Sequence, residues 1–190
     1  MEALAKTGVY CYVVLALAVS VRAGSLSLEA HEIGTNDSFH SNWQTDWGSY
    51  DRTYHRGKRI LVTVRDFSRK IPMCDISVYF VAHQVFNSND RFIYDRKEFS
   101  PQFRGRIEIS GPVDAAELRA RIVNLAGLGQ VYGSGADLDG WIVVGKVDNR
   151  IFDIRASNQT LLEIAQGNER QAQSLAEMIG DYEKALGRRR

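Results

Sequence analysis

The chain has 190 residues, of which 44% are hydrophobic and 25% charged, with 16 Gly, 3 Pro and 2 Cys. That composition excludes a collagen-like repeat, a low-complexity disordered chain and a disulfide-dense scaffold, and the length fits one domain with a self-sufficient core. Lys and Arg number 24 against 23 Asp and Glu, so the net charge of +1 gives no electrostatic case for a nucleic-acid binder.

Met1–Ala23 reads as a secretory signal peptide. Lys6 supplies the positive start, Val9 to Val19 the apolar run, and Val21-Arg22-Ala23 the short residues before a cut. The run falls short of the ~20 apolar residues that a spanning helix needs, so no membrane span is expected after cleavage. Removal of Glu2, Lys6 and Arg22 brings the charge balance to zero. Cys11 leaves with the same segment, and Cys74 becomes a lone thiol that is either buried or linked to a partner. An exported protein, periplasmic or secreted, is the expectation.

From Ser25 to Ala156 the hydrophobic period is two. Leu26, Leu28 and Ala30 alternate with Ser27, Glu29 and His31; Ile60, Val62 and Val64 with Leu61, Thr63 and Arg65. Further alternations are Ile76, Val78, Phe80 and Ala82; Phe103, Gly105, Ile107 and Ile109; and Leu118, Ala120 and Ile122. Each predicts a strand with one core face and one solvent face, the habit of antiparallel sheets. Turns are expected at Asp66-Phe67-Ser68, Asn87-Ser88-Asn89-Asp90 and Ser110-Gly111-Pro112. A hairpin is expected around Asp148-Asn149, since both residues tolerate the positive φ of a two-residue turn. After Ala156 the period becomes helical. Thr160 and Glu163 form a capping box, Gly167 stops or bends that helix, and Asn168 with Gln171 can cap a second one. The second helix carries the stripe Ala172, Leu175, Ile179, Tyr182 and Leu186. The expected architecture is mainly β: a β-sandwich domain over residues 24–156, then a C-terminal helical extension over residues 157–190.

The stretch Arg59-Ile60-Leu61-Val62-Thr63-Val64-Arg65-Asp66, followed by Asp75-Ile76-Ser77-Val78-Tyr79-Phe80, resembles two strands of bacterial fibronectin type III-like or immunoglobulin-like domains. The strand Gly140-Trp141-Ile142-Val143 with Arg155-Ala156-Ser157 and a short capped helix resembles exported bacterial proteins without assigned roles. The resemblance implies an antiparallel Ig/fibronectin III-like sandwich used for adhesion, ligand display or service beside an enzyme. It carries over no functional residue, because such families share a framework and not a site.

Motifs for catalysis are incomplete. His31-Glu32-Ile33-Gly34-Thr35 begins like a zinc-protease helix but lacks the second His. Asp137-Leu138-Asp139-Gly140 resembles part of a calcium loop, yet Gly135 and Lys146 stand where ligands belong. The glycines from Gly127 to Gly135 precede a strand rather than a helix, which does not suit a phosphate cradle, and Ser134 is in no nucleophile elbow. No cofactor, no metal and no enzyme activity are expected.

The most distinctive segment runs from Phe39 to Tyr54. Its aromatics Trp43, Trp47, Tyr50 and Tyr54 are candidate ligand-binding residues that could stack on sugar rings or anchor a protein. The competing expectation is a plug at the end of the sandwich. Phe39, Trp43 and Trp47 share strand parity and would be buried, whereas Tyr50 and Tyr54 have the other parity and would face out. Leu175, Ile179, Tyr182 and Leu186 are a candidate partner-docking face, with packing on the chain's own domain as the alternative. These features support an exported, non-catalytic binding or adhesion-type module for an unknown protein or glycan partner. A glycan-binding module with an aromatic platform is the alternative, and an unrecognised hydrolase is the third.

Overall fold

A computed structural model describes residues 25–44, 49–125, 130–168 and 173–188. Eight strands precede two helices: β1 (Leu26–Gln44), β2 (Ser49–Asp66), β3 (Asp75–Gln84), β4 (Asn87–Phe99), β5 (Glu108–Asp114), β6 (Leu118–Leu125), β7 (Gln130–Val147), β8 (Arg150–Ala156), α1 (Gln159–Ala165) and α2 (Leu175–Gly187). The fold is mainly β and antiparallel. The strands run in the order β1-β2-β6-β7-β3-β4, with β5 added to β2 and β8 to β7. The leader expected at Met1–Ala23 lies outside the described residues.

Two long strands organise this sheet. The first half of β2 pairs with β6, as does the first part of β7, from Gln130 to Gly135. Beyond that shared neighbour they part company: β2 continues between β1 and β5, and β7 between β3 and β8. Apolar residues from the two diverging halves then meet. Leu28, Ile60, Val62, Val64 and Val113 form one buried cluster with Ile76, Val78, Phe80, Trp141 and Val143. The sheet curls far enough for β8 to reach β1, where Arg155 Nε donates to the Leu28 carbonyl at 2.8 Å.

The central strands are buried on both faces. In β3, Ile76, Val78 and Phe80 enter the first cluster, while Tyr79 and Val81 enter a second with Ile142 and Val144 of β7. The helices complete that second layer through Leu161, Ile164, Leu175 and Met178. The expectation that Tyr79 and Val81 face solvent is therefore wrong. A period of two marks two faces, but a helix laid on the outer face buries both.

Local chemistry explains most boundaries. Asp148 and Asn149 adopt φ of 50° and 62°, and Val147 pairs with Arg150 across them, the two-residue hairpin expected from the sequence. Asp66 is fully buried at the end of β2. Its carboxylate accepts from Ser68 N–H, Ser68 Oγ and Ile71 N–H, which fixes the Asp66–Ser68 turn. The first helix is capped by Asn158, whose side chain accepts from Leu161 N–H, rather than by Thr160. The second is capped by Ser174 with Glu177 in a full capping box, rather than by Asn168. Gly167 has φ of 70° just past α1, where it stops that helix.

Two turn assignments change. The turn expected at 87–90 falls one step earlier, at Val85-Phe86, with Phe86 at φ of 70°, and residues 87–90 open β4. Ser110-Gly111-Pro112 lies inside β5, paired with Thr63, Val62 and Leu61. Pro112 is tolerated there because β5 pairs with β2 alone. The strand expected to start at Phe103 breaks at Arg104 and Gly105, both at positive φ, so only Glu108 onward joins the sheet. Cys74 is a free, buried thiol, as its position ahead of a core strand suggested.

Candidate aromatic arm

Beyond the core, the outer halves of β1 and β2 run on as a hairpin, with β6 and then β7 completing a four-stranded arm. The register of this arm decides which residues share a face, because directly opposed residues of an antiparallel pair project to the same side. Trp43 opposes Tyr50, which opposes Asn124, which opposes Val131. In the next rows, Ser41, Arg52, Ile122 and Gly133 align, and Phe39, Tyr54, Ala120 and Gly135. Phe39, Trp43, Tyr50 and Tyr54 therefore hold positions on one face. This corrects the expectation that Tyr50 and Tyr54 lie opposite Phe39 and Trp43. Parity along the chain holds only within one strand, and the hairpin connection between Gln44 and Ser49 resets it. Residues 39–44 and 49–54 lie in the sheet ladder. Trp47 lies outside the described residues.

This face continues the core face of β2, since Tyr54 and Arg56 have the parity of Ile60, Val62 and Val64. Tyr54 is half-buried. Arg52 lies over its ring at 4.5 Å from the centroid, and Arg56 at 5.2 Å. Arg56 also pairs with Asp137 of β7, linking the arm to the opposite strand. At Gly133 the side chains of Phe86 and Val85 occupy the space a Cβ would need, so the β3–β4 turn closes against this row. Sequence reading missed Arg52 and Arg56 as parts of the aromatic face. Their i±2 spacing from Tyr54 was the available signal.

The reverse face carries ion pairs. Arg121 reaches both carboxylate oxygens of Asp51. Its hydrogen bonds hold the Asp51 carboxyl below its usual range, against a smaller opposing effect of burial. Glu117 lies 3.8 Å from His55 Nδ1. Val123 and the exposed Tyr132 share this face with Asp51, so the faces differ in that one aligns the arginines with the aromatic positions of β1 and β2 and the other carries the ion pairs.

On the second helix, Leu175 is buried and Ile179 and Tyr182 pack partly buried on the layer over β3 and β7. Met178, absent from the expected stripe, is the most buried member at 1% exposed. Leu186 is exposed and borders a groove of ≈ 640 Å³ between α2, β4 and the start of β6, lined also by Tyr94, Leu118, Arg119 and Tyr182. Burial pushes the Tyr94 hydroxyl pKa upward, helped by Asp95. The carboxylates of the calcium-like stretch are engaged with arginines, Asp137 with Arg56 and Asp139 with Arg91. Among the described residues, no group of three His, Cys, Asp or Glu is placed to hold a metal ion. No described helix is long and apolar enough to cross a membrane.

No protein-family model matches the chain, and no curated protein matches it. Among solved structures, one from Akkermansia muciniphila is similar over 72% of this chain and 74% of that chain, with 11% sequence identity and a TM-score of 0.28.

Proposed function

We propose that this protein is an exported, non-catalytic binding module that recognises a protein partner through the aromatic face of its β1–β2 arm. The observation that carries the reading is the register that aligns Phe39 with Tyr54 and Trp43 with Tyr50 on one face. Tyr, Trp and Arg are the residues that concentrate binding energy at protein interfaces, and Arg52 and Arg56 flank Tyr54 on that same face. The facing of β1, β2 and β5 onto β3 and β7 supports a sandwich-type framework of the immunoglobulin or fibronectin III kind, which commonly serves such roles. Export rests on the leader-like sequence of Met1–Ala23.

A glycan ligand is the second reading, favoured by the register that puts Trp43, Tyr50 and Asn124 in one row. The coverage of Tyr54 by two guanidinium groups weighs toward a protein, because a sugar would have to displace them. Affinity capture from the native envelope fraction tests the first reading, and a glycan array tests the second. The parent should retain a specific protein that the Trp43→Ala, Tyr50→Ala double variant does not. Array binding with no captured protein would favour the glycan, and failure of both would remove the arm as a binding surface.

A further inference from the structure

At the opposite end of β2 from the arm, the chain's cations behave differently. Many arginines of the sheet are matched with carboxylates, as in Arg59–Asp114, Arg65–Glu108, Arg91–Asp139, Arg96–Glu98 and Arg121–Asp51. At this end, Arg69, Lys70, Arg104 and Arg106 are exposed and line one cleft of ≈ 520 Å³, and no described carboxylate is within ion-pair distance of any of them. Two connections build the cleft, Arg69–Met73 and Gln102–Arg106. They are joined by Phe103 N–H donating to the Pro72 carbonyl at 3.0 Å and by a bridge between Met73 and Gln102. Carboxylates of the same end are committed elsewhere. Asp66 is spent on Ser68 and Ile71, Asp75 accepts from Ser100, and Glu108 pairs with Arg65. Arg69 and Arg104 hold φ of 55° and 47°, a region that side-chain-bearing residues seldom occupy.

Large apolar side chains border these cations. Phe67 is 61% exposed, Met73 45% and Ile107 37%. Backbone contacts bring them to the same end: Asp66 N–H donates to the Ile107 carbonyl, and Arg106 N–H to the Phe103 carbonyl. Four unmatched cations with three exposed apolar side chains form the amphipathic surface that a lipid interface accepts, since headgroups take the charge and the acyl boundary takes the apolar groups. A soluble anion would satisfy the cations and leave Phe67 and Ile107 in water.

We infer that the Arg69–Met73 and Gln102–Arg106 loops dock this protein on the surface of an anionic phospholipid membrane. Peripheral docking here needs no spanning segment. It would leave the aromatic arm pointing away from the lipid, since β2 covers roughly 55 Å between Ser49 and Asp66 at the rise of an extended strand.

The test is co-sedimentation of the purified protein with phosphatidylcholine vesicles that do or do not contain about 30% phosphatidylglycerol. The parent should partition onto the anionic vesicles at least about tenfold more strongly than onto neutral ones, and high salt should release it. The K70Q/R104Q/R106Q variant should lose about tenfold or more while melting like the parent, since all three side chains are exposed. Phe67→Ser should weaken binding to anionic vesicles at every salt concentration. Equal partitioning on both vesicle types, no partitioning at all, or an unaffected triple variant would overturn the inference. Displacement of the protein from vesicles by inorganic phosphate at constant ionic strength would assign the cleft to a soluble anion and overturn it equally.

Discussion

Trp43 and Tyr50 stand directly opposite each other in the β1–β2 ladder, four positions beyond the row that holds Phe39 and Tyr54. That pairing puts the aromatic positions of both strands on one face of the ladder. Cross-strand aromatic pairs contribute about 0.2–1 kcal/mol each, far less than a buried core aromatic. Trp43→Ala and Tyr50→Ala should therefore each cost about 1 kcal/mol or less in urea denaturation, and both should impair capture of the partner. A loss of about 3–5 kcal/mol from Trp43→Ala alone would return that residue to a core role.

The layer formed by the helices should behave as core. Met178 is 1% exposed and Ile164 3%. Met178→Ala and Ile164→Ala should each destabilise by about 2–5 kcal/mol, the usual cost of a large-to-small change in a packed interior. Leu186→Ala, at an exposed position of α2, should stay within about 0.5 kcal/mol. Equilibrium denaturation of the three variants gives the comparison, and equal effects would mean that α2 is not seated by its N-terminal half.

Burial pushes the Asp66 carboxyl upward, but hydrogen bonds from Ser68 and from the Ile71 backbone together outweigh it and hold the pKa below its ordinary value. A carboxyl depressed in the folded state stabilises above its unfolded pKa, and that contribution fades as pH falls through the folded value. Asp66→Asn should cost about 1–3 kcal/mol at neutral pH, because its amide cannot accept on both sides as the carboxylate does. The gap between parent and variant should narrow below about pH 4. A gap that stays constant down to strongly acidic pH would show that charge at Asp66 is not what holds the turn.

Burial, with Asp75 and Asp66 adding to it, pushes the Cys74 thiol up to about 11. At neutral pH its thiolate fraction should be about two to three orders of magnitude below that of an ordinary cysteine. Native protein should react with a thiol reagent far more slowly than protein unfolded in guanidinium. Equal rates would place the thiol at the surface.

Much of this fold is legible in local sequence, and the reasons for the failures are specific. The Asp148-Asn149 hairpin is a local event, decided by two residues that accept positive φ, and the sequence states it directly. The alternation of Ile60, Val62 and Val64 marks the core face of β2 equally well. Tyr79 and Val81 misled because their cover, α1 and α2, follows about 80 residues later in the chain. Thr160 and Glu163 have the spacing of a capping box, but Asn158 begins the helix two residues earlier, which an equally good capping residue permits. Gly111 and Pro112 look like a turn locally, and only the open edge of β5 reveals why they can sit in a strand. The aromatic arm was half legible. Its residue types stood out, but their common face depends on a register that no single strand encodes. The basic cleft was not legible at all, since Arg69 and Lys70 are far from Arg104 and Arg106 in sequence and meet through the Phe103–Pro72 hydrogen bond and the Met73–Gln102 bridge.

The central claim is that one face of the arm, and not the other, meets a partner. A photo-crosslinking residue placed at Tyr50, on the aromatic face, and in a separate variant at Thr53, on the ion-paired face, tests it in the cells that export the protein. The account predicts a discrete crosslinked adduct from Tyr50→benzoylphenylalanine and none from Thr53→benzoylphenylalanine. Adducts from Thr53 alone, equal adducts from both, or none from either would contradict it.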